Sequence, residues 1–166
     1  MPDVTLREVL PGDLPAFFAH PLDPEAARMA AFTAEDPSDQ DAFMARWAKI
    51  MADESMVKRT VLHDGDVAGH IVRFERSGDP EITYWIDRAL WGRGIATAAL
   101  TQFLAEVRER PLYARAAKDN LASLRVLEKC GFVVSGTNRG FASARGEEIE
   151  EAIFELRTLA SLSLSP

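Results

Sequence analysis

The stretch that decides the fold reads Tyr84-Trp85-Ile86-Asp87-Arg88-Ala89-Leu90-Trp91-Gly92-Arg93-Gly94-Ile95-Ala96-Thr97. Its first part continues an alternating pattern that begins at Glu81 and is typical of a strand. After the two glycines the pattern becomes the apolar stripe of a helix, formed by Ile95, Ala96, Ala99, Leu100, Phe103, Leu104 and Val107. A glycine turn that opens a helix predicts an anion site, because the first helical N–H groups lack internal partners and glycine lets a phosphate come close.

Two common phosphate-binding motifs fit this stretch poorly. The loop of nucleotide triphosphatases requires a lysine and a hydroxyl residue directly after its last glycine, and neither follows Gly94. The dinucleotide fingerprint requires a third glycine where Thr97 stands, and it follows the first strand of a repeated unit, whereas much of this chain comes earlier.

The segment Trp91–Ala96 instead resembles the acetyl-CoA loop of the GNAT superfamily of N-acyltransferases, whose pattern is Q/R-x-x-G-x-G/A. Every position matches except the first, where Trp91 replaces Gln or Arg. A second segment, Asn120–Phe132, resembles the Asn-x-x-Ser helix of the same family, which ends in Gly-Phe. The order and spacing of both segments agree with the family. The chain is most similar to the branch that acetylates N-termini of ribosomal proteins, the RimJ/RimL type, and to its relatives that acetylate small molecules.

Composition sets broad limits on the class of protein. The chain has 166 residues, of which 47% are hydrophobic and 27% charged, as expected for one ordinary globular domain. A net charge of −7 argues against nonspecific nucleic-acid binding and mildly favours a cationic acceptor. A single cysteine forms no internal disulfide, and neither a signal peptide nor a membrane-spanning segment is visible. We therefore expect a cytoplasmic protein with no membrane partner.

The remaining patterns place the other elements. Predicted strands cover 4–9, 56–62, 67–74, 81–86, 112–117, a segment that begins at 133, and 150–156. Predicted helices cover a short segment 14–19, segment 25–34, a helix capped by Ser38, the helix after Gly94 and the helix capped by Asp119 or Asn120. The pair Asp64-Gly65 predicts a hairpin turn. Residues 138–146 are predicted to form a polar loop.

These elements predict a single α/β domain over residues 1–160 with a frayed tail at 161–166. The predicted order is β-α-α-β-β-β-α-β-α-β-β. With the resemblance, this implies a GNAT-like fold, in which helices flank a mixed, mostly antiparallel sheet. The family also implies that the strand at Tyr84–Ile86 and the strand at Leu112–Ala117 splay apart.

The resemblance implies acetyl-CoA as cosubstrate, with no metal. The implied coenzyme-binding residues are Tyr84, Trp85, Ile86, Trp91, Gly92, Arg93, Gly94, Ile95, Ala96, Thr97, Asn120 and Ser123. The alternative from the residues alone is that the glycines only permit a tight turn and that Asn120 is only a helix cap. Cys130, at the end of an amphipathic helix, is predicted to be buried packing.

The candidate catalytic residues are an acid near the coenzyme thiol and a base near the acceptor amine. Many family members carry a tyrosine four residues after the serine to protonate the departing thiolate, but this chain has Leu127 there. Either Ser123 or a water then supplies the proton, or no strong acid is used. Glu81 is the candidate base, acting through water as the family often does, and its alternative is a solvated strand-end carboxylate. His70 titrates in a suitable range but fits a structural role better.

The function implied by the resemblance is transfer of an acetyl group to a primary amine within a ternary complex. The acceptor could be a small molecule or a protein N-terminus, and the family allows a homodimer. The acidic residues Glu75, Glu147, Glu148 and Glu150 either line the acceptor cleft or are solvated. The apolar helical stripe over residues 43–51 belongs either to the core or to the wall of a pocket. The alternative function, suggested by Leu127, is a non-catalytic acyl-CoA-binding or interaction module.

Overall fold

The computed structural model describes residues 3–157 as helices on both faces of one twisted sheet. The elements are β1 (Val4–Glu8), α1 (Leu14–Ala19), α2 (Pro24–Ala30), α3 (Gln40–Ala52), β2 (Val57–His63), β3 (Asp66–Arg76), β4 (Asp79–Ile86), α4 (Ile95–Glu106), β5 (Leu112–Ala117), α5 (Leu121–Lys129), β6 (Val133–Ala142) and β7 (Glu147–Leu156).

The sheet has seven strands in the order β1-β2-β3-β4-β5-β7-β6. All neighbouring strands are antiparallel except β4 and β5, which are parallel and connected through α4. This confirms the predicted mixed, mostly antiparallel sheet. The Asp64-Gly65 hairpin is also confirmed, since both residues have positive φ, as a two-residue turn of this kind requires.

The two parallel strands separate soon after they meet. Their pairing consists of Glu81 with Tyr113 and Ile82 with Ala114. Beyond these pairs, β4 continues to Ile86 with β3 as its partner on one side only. The predicted splay is therefore confirmed, and it leaves one backbone edge of Tyr84–Ile86 without a strand partner inside the sheet.

A close approach holds the end of β4 against β3. A Cβ atom at Gly69 would lie 1.9 Å from the carbonyl oxygen of Trp85 and 3.1 Å from the Cα of Ile86. Any side chain at this position would push β4 away, so glycine is required by contact rather than by its φ angle.

Each face of the sheet has its own core. On one face, α4 contributes Ile95, Ala99, Leu100 and Phe103 to a cluster that includes Ile82 and Ile86. On the other face, α1 and α3 contribute Leu14, Phe17, Phe43 and Trp47 to a cluster that includes Val72. Because strand residues alternate between faces, β4 lies between both clusters.

The structure corrects the sequence predictions at three places. Three helices lie between β1 and β2, in agreement with the three predicted helical segments but one more than the predicted element order contains. The cap of α3 is Asp39, whose carboxylate accepts from Ala42 N, and not Ser38, whose hydroxyl donates to Asp36. Residues 138–142 continue β6 instead of forming a loop, because they pair with β7 as far as Ala142 opposite Glu147.

The predicted frayed tail at 161–166 lies outside the described residues. None of the helices found within residues 3–157 has the length and apolar character needed to cross a bilayer.

Candidate functional site

The N-terminus of α4 is open. Its cap is Gly94, with φ 76°, and no side chain caps it. Gly92 also has positive φ, and a Cβ at either glycine would meet no atom within 4 Å. Within the described part of the chain, the amides of Gly92 through Thr97 have no hydrogen-bond acceptor outside the helix itself. The turn therefore presents unpaired donors at the positive end of a 12-residue helix.

Trp91 fixes this turn to the end of β4. Its indole Nε1 donates to the carbonyl oxygen of Ile86 at 2.9 Å. The departure from the Gln or Arg of the family pattern thus has a structural use here, since the indole satisfies an exposed strand carbonyl and sets the position of the loop.

A cavity of about 340 Å³, called the α4 cavity here, lies in front of this turn. The predicted residues that line it are Tyr84, Trp85, Ile86, Trp91, Gly92, Gly94, Ile95, Ala96, Thr97, Asn120 and Ser123. Arg93 is exposed and is not part of the lining. The structure adds Arg125 and Lys129, which the sequence analysis missed. Arg125 and Lys129 follow the Asn-x-x-Ser pattern and lie four residues apart, and this spacing could have indicated a cationic face on the helix.

Asn120 caps α5 and also connects two helices. Its Oδ1 accepts from the backbone N–H of Ser123 at 3.3 Å, and its Nδ2 donates to the carbonyl oxygen of Met29 at 3.3 Å. Both ends of the side chain are therefore used, and the cap holds Ser123 at the mouth of the cavity.

Ser123 has a hydroxyl partner from the neighbouring strand. Its Oγ lies 2.7 Å from the hydroxyl oxygen of Tyr84. Burial raises the pKa of Tyr84 to about 12, so the phenol stays protonated at any physiological pH. Leu127 is 1% exposed and lines the central cavity described below, where it presents an apolar side chain without a hydroxyl in the tyrosine's place. Tyr84 was predicted only as a coenzyme-binding residue, and its hydroxyl contact with Ser123 was not predicted.

Glu81 is buried between two arginines. Its carboxylate accepts from Nε and NH2 of Arg76 at 3.0 and 3.1 Å, and from Nε of Arg115 at 3.4 Å. The alternative of a solvated carboxylate is therefore wrong, since Glu81 is 5% exposed. Glu81 and Ser123 both line a central cavity of about 300 Å³ that opens where β4 and β5 separate.

The other titratable candidates lie elsewhere. Burial lowers the pKa of His70 to about 3, which makes it too weak a base for this chemistry. Glu75, Glu147, Glu148 and Glu150 are exposed, in agreement with their solvated alternative. Cys130 is half-buried and packs against the core, with its Sγ near the carbonyl oxygen of Thr97. Within residues 3–157, no group of His, Cys, Asp and Glu side chains is arranged to hold a metal.

Comparison with known proteins adds a family match. The family model described as "Acetyltransferase (GNAT) domain" matches residues 3–133. The Bacillus subtilis protein named "Putative ribosomal N-acetyltransferase YdaF" is 31% identical over 119 residues, and the match covers 65% of each chain. The Escherichia coli L-amino acid N-acetyltransferase AaaT is 27% identical over 114 residues, 63% of this chain and 70% of that protein. The chain thus spans slightly less than two thirds of the first relative's length.

A solved structure supports the fold. Mycobacterium smegmatis RimJ, in complex with CoA-disulfide, superposes with a TM-score of 0.78 over 98% of this chain and 84% of that chain. The sequence identity is 21%, so this likeness concerns the fold alone.

Proposed function

The chain belongs to the GNAT acetyltransferase family, and from that premise we propose that it is an acetyl-CoA-dependent N-acetyltransferase. It moves an acetyl group to a primary amine by direct transfer in a ternary complex. The observation that carries the proposal is the open N-terminus of α4, which lies beside the strand edge that β5 leaves unpaired.

The proposed coenzyme follows this geometry. Its diphosphate takes the unpaired amides between Gly92 and Thr97, where the helix dipole favours an anion. Arg125 and Lys129, both exposed on α5 and lining the same cavity, add cationic contacts for the phosphate groups. The pantetheine arm then pairs with the part of the Tyr84–Ile86 edge that Trp91 leaves free, as an added strand does.

The transfer step forms one bond and breaks another. The neutral amine nitrogen attacks the thioester carbonyl carbon, and the resulting oxyanion accepts a hydrogen bond from a β4 backbone N–H in the gap. The C–S bond then breaks. The nitrogen loses a proton to a base, and the coenzyme thiolate takes a proton from an acid.

We assign the acid to the hydroxyl pair of Ser123 and Tyr84. Ser123 lines both the α4 cavity and the central cavity, so its hydroxyl can give its proton to the thiolate. Tyr84, at 2.7 Å, can then restore that proton along the hydrogen bond. The pair replaces the tyrosine that the family carries at the position of Leu127.

Glu81 is the proposed base, acting through one water. A carboxylate has about four acceptor positions, and three are taken by arginine donors. The remaining position can hold a water in the central cavity. The demand on this base depends on the acceptor, because deprotonating an α-amine at pH 7 costs about 1 kcal/mol and a lysine about 4–5 kcal/mol.

Coenzyme binding can be tested with two matched glycine variants. Gly94→Asp places bulk and negative charge at the proposed phosphate site, so we expect at least about 100-fold weaker acetyl-CoA binding by calorimetry. Gly65→Asp is the control, because Gly65 also has positive φ and open space but lies in a hairpin turn away from the cavity. Equal affinities in the two variants would contradict the assigned loop.

The rival function is a non-catalytic acyl-CoA-binding module of the same fold. The Ser123–Tyr84 pair favours the enzyme, because it places a proton donor at the cavity where the thiolate would be released. Thiol release with a panel of amines separates the two functions. Binding of acetyl-CoA without turnover of any amine would favour the module.

The acceptor remains a primary amine of either kind, a small molecule or a protein N-terminus. A homodimer and a cytoplasmic location stay predictions from the resemblance. Size-exclusion chromatography of the purified chain tests the first, and localisation of a tagged chain tests the second.

A further inference from the structure

A third cavity, called the aromatic cavity here, lies on the face of the sheet that carries α1 and α3. Its volume is about 340 Å³, within the usual range for small-molecule pockets. Five aromatic side chains contribute to its wall: Phe17, Phe43, Trp47, Phe74 and Trp85. The stripe of α3 is thus both core and pocket wall, since Phe43 and Trp47 belong to the hydrophobic cluster as well.

Two buried polar atoms in this wall have no partner. Nδ1 of His70 and Nε1 of Trp85 form no hydrogen bond with any residue in the described range 3–157. Burial keeps His70 neutral, and its ring packs against Phe17 at 4.6 Å and Trp47 at 5.2 Å between centroids. Because an unsatisfied buried polar group is costly, two wall residues that each carry one suit a ligand with polar atoms of its own.

The aromatic cavity has a positive charge in its lining and no negative one. Arg46 is its only permanently charged lining residue, and no carboxylate takes part in the lining. The Arg46 guanidinium lies 5.7 Å from the centroid of the Phe43 ring and forms no ion pair with the carboxylates of residues 3–157. A free guanidinium above an aromatic wall suits a carboxylate and repels a polycation.

The aromatic cavity also adjoins the proposed transfer centre. Trp85 lines all three cavities, and Thr83 and Phe74 line both the aromatic and the central one. A ligand in the aromatic cavity therefore approaches β4 from the face opposite α4, beside the central cavity that Ser123 and Glu81 share.

Resting on the proposed function, we propose that the aromatic cavity selects the acceptor, and that this acceptor is a free α-amino acid with a large apolar or aromatic side chain. The side chain fills the space between the aromatic rings, the carboxylate pairs with Arg46, and the α-amine points along β4 to the thioester. This departs from the cationic acceptor that the net charge of −7 suggests, because the local charge at the cavity is opposite to that of the whole chain.

Acceptor preference gives the first test. Thiol release from acetyl-CoA is measured with phenylalanine, phenylalanine amide, spermidine and a short peptide that begins with phenylalanine. We expect kcat/KM for phenylalanine to exceed that of each other amine at least about tenfold. Equal or faster turnover of the amide or the peptide would overturn the role of the carboxylate, and preference for spermidine would overturn the proposal entirely.

Variants at the cation give the second test. Arg46→Gln should lower kcat/KM for phenylalanine at least about tenfold while leaving the amide unchanged, and Arg46→Lys should recover part of the loss. Arg108→Gln is the control, since Arg108 is exposed and outside the three cavities. Equal effects of Arg46→Gln on acid and amide would refute the pairing.

Direct binding separates this inference from the proposed function. N-acetylphenylalanine, the product, should quench the fluorescence of Trp47 and Trp85 in the free enzyme, and Arg46→Gln should weaken that binding. Tight acetyl-CoA binding without this quenching would refute the inference and leave the proposed function intact. Failure to bind acetyl-CoA would overturn the proposed function first.

Discussion

The two sides of β4 are built in different ways. Towards α4, the site consists mainly of backbone: unpaired amides, a strand edge without a partner, and glycines that leave space. Towards α1 and α3, the aromatic cavity consists of side chains that come from several separate segments. A backbone site suits a ligand that is the same in every relative, whereas a side-chain site can change its acceptor without altering the fold.

The largest expected effect comes from Gly69, because it supports both sides at once. In Gly69→Ala, the added Cβ would collide with the Trp85 carbonyl, and Trp85 borders all three cavities. We expect the free energy of unfolding to fall by about 3 kcal/mol. The melting temperature should fall by about 6–12 °C. Acetyl-CoA binding should weaken in parallel.

Gly140→Ala serves as the control for Gly69→Ala. Gly140 also lies in a strand, but a Cβ there would meet only the Phe32 ring at an ordinary 3.7 Å. Its melting temperature should stay within about 2 °C of the unaltered chain, as expected for an unstrained site. A stable Gly69→Ala protein with normal coenzyme affinity would show that β4 does not depend on this contact.

Chemistry on the backbone side is tested by the hydroxyl pair. We expect Ser123→Ala to lower kcat about 100-fold, within the usual range for loss of a general acid. Tyr84→Phe should lower kcat about tenfold, and the double variant should be no slower than Ser123→Ala, because both groups serve one proton path. Acetyl-CoA affinity, measured by calorimetry, should change less than threefold. Full activity of Ser123→Ala would assign the acid to water.

The pH profile sharpens the same assignment. The acid acts in its protonated form, and burial keeps the pKa of Tyr84 at about 12, so this form is lost only as pH rises through that value. The rate should therefore rise with pH as the acceptor amine loses its proton, and no falling limb should follow below about pH 10. A falling limb near neutrality would point to a different acid.

The smallest effect is expected from the base. For a peptide α-amine acceptor at pH 7, Glu81→Gln should lower kcat/KM less than tenfold, because little free energy is needed to deprotonate such an amine. A lysine-like amine should lose more. Glu75→Gln is the control, since Glu75 is an exposed β3 carboxylate 3.6 Å from Arg73. A loss of several hundredfold with an α-amine would show that Glu81 does more than order a water.

The sequence could predict the backbone side of the site because its information is local. Gly92 and Gly94 lie two residues apart and just before an apolar stripe, and this spacing already indicates an open helix terminus. Asn120 was likewise predictable as a cap from its place before the helix. Such features depend on residues that are close in the chain.

The side-chain features could not be predicted in the same way. The Tyr84–Ser123 hydrogen bond joins residues 39 positions apart, and the Arg115–Glu81 contact joins residues 34 apart. Only strand order and register bring these groups together. The full length of β6 could not be predicted for a related reason. Its residues around Gly136 and Gly140 are polar, and they form a strand only through pairing with β7.

The gap between β4 and β5 also bears on solubility. Unpaired strand backbone at the rim of a sheet invites pairing with other molecules and thus aggregation. In this fold the unpaired part of the Tyr84–Ile86 edge lies inside the sheet order, between β3 and β5, and borders a cavity lined by residues of α2 and α5. An unpaired edge inside the sheet, rather than at its rim, can therefore accept a thin, flexible ligand without forming an outer edge for strand pairing between copies of the chain.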